Sequence, residues 1–210
     1  MRIPVAAEGW PFIFPPAVAA CILALMGWHV AAGIVAAVAL AFLAFFRDPE
    51  RAVPTLPGAV LAPADGKVMG VAEVEDRWVG RAVRLSIFLS PLDVHVNRAP
   101  AAGIVRDVEY VPGRFLAAFK PEASERNERC TVALESDPAR LSVRQISGVL
   151  ARRIVCRVRP GDKLEAGQRY GLIRFGSRTD LLVPTGTELR IKVGDRVRGG
   201  ETVMGVLRQS

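Results

Sequence analysis

Gly161-Asp162-Lys163-Leu164-Glu165-Ala166-Gly167 returns later in the chain as Gly194-Asp195-Arg196-Val197-Arg198-Gly199-Gly200. Both stretches read Gly-Asp-x-apolar-x-x-Gly and both lead into a β-rich run, a pattern of matched turns. Ala62-Pro63-Ala64-Asp65-Gly66-Lys67-Val68 is a third turn that opens a strand. Outward from these turns, residues 67–74, 82–89, 103–110, 130–135, 141–146, 154–159, 170–175, 180–184 and 188–193 form short runs rich in β-formers, divided by Gly, Pro and Asp. Such spacing predicts an all-β sandwich or barrel-like domain. Residues 114–129 are the least strand-like stretch and read as a loop or a short helix.

Repeated turns of this kind suit the small swivelling β-sandwiches that carry lipoyl or biotinyl groups, although ordinary hairpin chemistry selects the same residues. The N-terminus has another texture. No Asp, Glu, Lys or Arg occurs between Glu8 and Arg47. Residues 12–26 and 30–46 are two apolar arms parted by Gly27-Trp28-His29, a triplet suited to an interfacial turn. One helix over both arms would be about 50 Å long, against a hydrocarbon core of about 30 Å. A helical hairpin dipping into a membrane is therefore expected over 1–46, ahead of one tilted span with a flanking helix. Pro15 and Pro16 should disturb the first arm. Residues 47–210 form the β-rich domain, with Pro49, Pro54 and Pro57 marking the connection.

The net charge is +7, all of it in 47–210 because Arg2 and Glu8 cancel. Basic residues beside an apolar segment suit the anionic cytoplasmic leaflet of a membrane, with both hairpin ends facing the cytoplasm. No nucleic-acid signature accompanies the scattered arginines. Cys21, Cys130 and Cys156 are few and widely spaced, which fits buried thiols in a reducing compartment. With only His29 and His95 as histidines, no metal is expected.

Three clusters could carry chemistry. Asp65-Gly66 is a turn that by itself gives Asp65 no catalytic claim. In Ser90-Pro91-Leu92-Asp93-Val94-His95-Val96-Asn97-Arg98, an extended Asp93–Asn97 would put Asp93, His95 and Asn97 on one face. An acid, an imidazole and an amide together are costly to bury without purpose. Arg174-Phe175-Gly176-Ser177-Arg178-Thr179-Asp180 lies between two apolar runs, as a hairpin would, and lacks a nucleophile-elbow pattern. Lys67 is a faint cue for a non-catalytic, membrane-tethered carrier or binding module.

Taken in order, Phe46-Arg47-Asp48-Pro49, Ala62–Gly66, Ser90–Arg98, Asn127-Glu128-Arg129 and Phe175-Gly176-Ser177 resemble the short bacterial form of phosphatidylserine decarboxylase over most of the chain. Longer forms resemble Asp-x-His-x-x-His, and Arg98 stands at the second histidine position here, leaving His95 alone. The resemblance implies self-cleavage at Gly176-Ser177 into 1–176 and 177–210, with Ser177 becoming a pyruvoyl cofactor and no metal required. It implies that His95 removes the Ser177 proton, oriented or charged by Asp65 or Asp93, and later protonates the decarboxylated substrate. Arg98, Arg114 and Lys120 are candidates for the lipid phosphate. A phospholipid substrate in the membrane and a homodimer are the expected partners; another serine lipid, such as archaetidylserine, is the alternative substrate.

Overall fold

The computed structural model describes residues 4–120, 122–149, 153–174 and 177–207. The chain divides into two compact units, Met1–Glu50 and Arg51–Ser210. In the first, α1 (Trp10–Leu25) and α2 (His29–Phe45) form a hairpin whose turn is closed by Gly27 at φ 81°. The Phe12, Phe42, Phe45 and Phe46 rings pack together at its base, where Phe12 stacks on Phe46 at 5.5 Å. Ala6 N–H donates to the Phe46 carbonyl at 2.8 Å, and Asp48 N–H donates to that of Pro4 at 2.8 Å, so both ends of the hairpin are tied together. Helix α1 continues through Pro15 and Pro16, against the expected disturbance. They are its sixth and seventh residues, past the first turn, so each forgoes one backbone bond within a helix that continues nine residues beyond them. The helical stretch Ala7–Leu25 is long and apolar enough to cross a membrane, whereas α2 is shorter.

The second unit is mainly β. Its strands are β1 (Ala59–Leu61), β2 (Gly66–Asp76), β3 (Gly80–Leu89), β4 (Val96–Arg98), β5 (Gly103–Val111), β6 (Arg129–Glu135) and β7 (Arg140–Ile146). They continue as β8 (Ile154–Cys156), β9 (Lys163–Leu164), β10 (Arg169–Ile173), β11 (Ser177–Pro184), β12 (Glu188–Leu189), β13 (Arg196–Val197) and β14 (Val203–Val206). The helical turn α3 (Ala123–Arg126) falls within the stretch read as a loop or short helix. Among the described residues, eight strands form a curled sheet in the order β13-β2-β3-β11-β7-β6-β5-β9, and smaller sheets run β4-β10-β8 and β1-β14-β12.

Strand alternation builds the core. Leu85, Ile87 and Leu89 of β3, Leu181 and Val183 of β11, Val143 of β7, and Val132 and Leu134 of β6 share one buried cluster. Each large apolar side chain so buried contributes about 1.5–3 kcal/mol. The two echoing turns abut at their terminal glycines, where a Cβ on Gly200 would lie 3.4 Å from the Gly167 Cα. Asp65-Gly66 behaves as the turn it resembles, since a Cβ at Gly66 would sit 2.2 Å from the Phe88 carbonyl oxygen.

Candidate active site

Strand β11 carries the site. It pairs with β3 on one side and β7 on the other, placing Ser177 opposite Leu89, and Thr179 between Ile87 and Gln145. The expected hairpin across 174–180 is therefore corrected at its C-terminal side: Ser177, Arg178 and Thr179 already belong to the strand. Ser177 is fully buried, and its Oγ has no hydrogen-bond partner among the described residues. Gly176, the expected other half of the scissile bond, lies outside the described residues, as does Phe175.

His95 is also fully buried, and its Nδ1 lies 2.9 Å from the Asp93 carbonyl oxygen. A carbonyl only accepts, so Nδ1 carries the hydrogen and, in the neutral ring, Nε2 keeps the lone pair. Asp93 thus reaches the imidazole through its backbone. Its carboxylate accepts from Ser90 N–H at 2.8 Å and from Arg196 at 3.3 Å. Those bonds hold Asp93 in a turn, and extended pairing begins only at Val96; the expected strand from Asp93 to Asn97 is shorter than the alternation suggested. The Asp65 carboxylate binds Arg51 Nη2 at 3.0 and 2.8 Å and accepts from Gly199 N–H at 2.8 Å.

Asn97 is the member of the acid–imidazole–amide set that the structure ties to the Ser177 strand. Its Nδ2 donates to Thr179 Oγ1 at 3.2 Å, and its Oδ1 accepts from Gln145 Nε2 at 2.8 Å. Gln145 also reaches the Val155 carbonyl at 3.4 Å. The sequence reading missed Gln145 and Thr179; a polar side chain at a core-facing position of an apolar strand was the available signal.

On the opposite face of β11, Arg178 Nε donates to Asp180 at 2.6 Å and Arg178 Nη2 to Ser86 Oγ at 2.7 Å. Ser124 of α3 donates to the second Asp180 oxygen at 3.0 Å. Removing one member of such a buried pair costs about 3–5 kcal/mol, so this cluster keeps the head of β11 in its sheet. Arg98 is nearly buried and donates to the Gly167 carbonyl at 3.1 Å, so it braces the echoing turns. Arg114 and Lys120 are exposed on the loop before α3. Asn127 fixes that loop through bonds of 2.9 and 2.8 Å to the Leu116 backbone and 2.7 Å to the Ser147 carbonyl.

Among the described residues, a central strand is headed by a buried serine hydroxyl without a hydrogen-bond partner, in a β domain that also buries an imidazole, groups of the kind that enzymes use. Residues 38–205 match the family model for phosphatidylserine decarboxylase. A Symbiobacterium thermophilum protein named phosphatidylserine decarboxylase proenzyme is 50% identical over 213 residues, covering 100% of this chain and 99% of its own. One of that name from Nitrosomonas eutropha is 45% identical, covering 97% and 95%. Another from Salinibacter ruber is 52% identical, covering 79% and 76%. The chain belongs to the phosphatidylserine decarboxylase family, and with it to the carboxy-lyases.

Proposed function

We propose that the protein decarboxylates phosphatidylserine to phosphatidylethanolamine after cutting itself between Gly176 and Ser177. The observation that carries this reading is the Ser177 hydroxyl, buried at the head of β11 and without a hydrogen-bond partner among the described residues. Burying a hydroxyl unpaired costs about 1–3 kcal/mol, which suits a group held for reaction better than one held for stability. In the first step Ser177 Oγ attacks the Gly176 carbonyl as His95 Nε2 takes its proton, turning the peptide into an ester. Elimination splits the ester, and hydrolysis of the resulting dehydroalanine releases ammonia and leaves a pyruvoyl group at position 177. Residues 1–176 and 177–210 are then separate chains.

The buried site suits that group, since β11 stays paired with β3 and β7 and needs no covalent link to residue 176. The pyruvoyl group supplies an electron sink for loss of carbon dioxide. His95 then protonates the carbon that has lost its carboxylate. Arg114 and Lys120 are the exposed cations we assign to the lipid phosphate. The apolar hairpin leaves Phe14, Ile22, Leu25, Trp28, Val30 and Ile34 exposed, and we assign it to the bacterial inner membrane with the β unit on the cytoplasmic side.

Mass spectrometry of the purified protein tests the cleavage. Two chains are expected, the smaller starting at position 177 without a free amine, and Ser177→Ala should stay intact and inactive. A single intact chain that decarboxylates serine lipids would overturn the mechanism. A panel of serine lipids identifies the substrate, and turnover confined to archaetidylserine would refute the phosphatidylserine assignment.

A further inference from the structure

Cys130 and Cys156 lie where the two sheets of the site meet. Cys130 sits on β6, separated by β7 from the strand that Ser177 heads, in a cross-sheet row with Gln145 of β7, Thr179 of β11 and Ile87 of β3. Cys156 sits on β8, opposite Gly171 of β10, in the sheet that contains β4. Gln145, beside Cys130 in the row, hydrogen-bonds the carbonyl of Val155, beside Cys156 in the chain. Cys156 packs against the buried cluster that contains Val132 and Leu134 of β6, the strand that carries Cys130. We propose that Cys130 and Cys156 form a reversible disulfide that clamps the His95-bearing sheet against the Ser177-bearing sheet and slows decarboxylation.

The roles divide by exposure. Cys156 is partly exposed and Cys130 is buried. Accepting the hydrogen bond from Cys130 lowers the Cys156 pKa to about 7, which gives it thiolate character near neutral pH. The same bond, with burial, raises Cys130 and keeps it protonated. A thiol with a pKa near ambient pH is the best attacking group in disulfide exchange. With a small disulfide as oxidant, Cys156 attacks one sulfur and expels the first thiolate. Cys130 then attacks the Cys156 sulfur of the mixed disulfide, expelling the second. The two cysteine protons leave with the two released thiols, and two electrons pass to the oxidant.

A disulfide holds its sulfurs about 2.05 Å apart, well inside the contact distance of two thiols. Bridging therefore draws β8 towards β6 and shifts β10 and β4, which pair with it in series. His95 immediately precedes β4, and Ile173 of β10 donates to its carbonyl at 3.2 Å. A shift of about 1 Å between reacting groups costs about a hundredfold in rate.

The rate effect rests on the decarboxylase reading, whereas the bridge does not. Full-length matured protein carrying Cys21→Ser is incubated in detergent with oxidised glutathione, blocked and digested. Glutathione is preferred to peroxide because peroxide destroys 2-oxoacyl groups. A linked Cys130–Cys156 peptide is expected, with decarboxylation falling about tenfold or more and returning with dithiothreitol. Cys130→Ser in the same background should take glutathione on Cys156 without forming a bridge. Failure to find the linked peptide in the Cys21→Ser protein would overturn the proposal, as would bridged protein working at the reduced rate. Bridged protein that is also inactive when reduced would overturn the clamp's role together with the functional reading, leaving only the bridge.

Discussion

Asn97→Ala should loosen the site and unfold the protein early, by an amount set by the groups it abandons. The mutation removes the acceptor of Gln145 Nε2 and the donor to Thr179 Oγ1, all fully buried. Each buried polar group left unpaired costs about 1–3 kcal/mol. Gln145 keeps its long bond to the Val155 carbonyl, so the total should fall near the lower half of the sum, about 2–4 kcal/mol. For a chain of this size that lowers the melting midpoint by roughly 4–16 °C. Full-length protein in detergent, heated at one scan rate beside its parent, measures the change. Thr179→Val should cost less alone, and the double variant should fall short of the sum by about 1 kcal/mol because the pair is counted once. The fraction of chain cleaved, read on a denaturing gel, should fall in step, since Asn97 connects the strand after His95 to the strand Ser177 heads. If Asn97→Ala melts within about 1 °C of the parent and matures normally, the amide network does not hold the site together.

Alkylation of Cys156 by iodoacetamide should reach half its maximal rate near pH 7, and Cys130→Ala should move that midpoint up towards the ordinary thiol value of 9.0 by removing the hydrogen bond that stabilises the thiolate. Rate against pH, with mass spectrometry to locate the label, checks this; an unshifted profile would contradict the thiol pairing. Gly171→Ala places a Cβ 2.3 Å from the Val155 carbonyl oxygen and 2.8 Å from Gln145 Nε2, so it should push β10 from β8 and destabilise by about 1–3 kcal/mol in thermal unfolding. Arg51→Met and Asp65→Asn each break a largely buried pair and should each lower stability by about 3–5 kcal/mol. If Asp65 acts only through Arg51, both variants will mature at the same rate; slow maturation confined to Asp65→Asn would show a separate role for that carboxylate.

The mainly β class, the apolar hairpin and most long strands were legible because each follows from local periodicity. Residues 82–89 and 141–146 alternate or run apolar over enough length for burial to follow. Short strands were not legible: β4, β9 and β13 span two or three residues and owe their pairing to distant partners. The start of β11 was hidden for a related reason. Ser177-Arg178-Thr179-Asp180 looks like turn chemistry, and only a sheet with polar partners on both faces makes it a strand. His95 and Ser177 stood out through resemblance, whereas Gln145 has no local signature beyond its parity in β7. Side-chain direction was equally invisible: Asp65 turns to Arg51, and Asp93 meets His95 through a carbonyl.

Those contacts separate two duties that sequence order had merged. A histidine whose Nδ1 is fixed by a backbone carbonyl needs no carboxylate to set its tautomer, since any residue at 93 offers the same acceptor. The Asp93 side chain instead shapes the turn that delivers that carbonyl, through Ser90 N–H. Asp93→Asn retains a side-chain oxygen for the turn, whereas Asp93→Ala loses it; a role in orientation predicts near-normal maturation in the first and slow maturation in the second. Equal loss in both would mean that the negative charge itself acts on His95, and the carbonyl would then be only its placeholder.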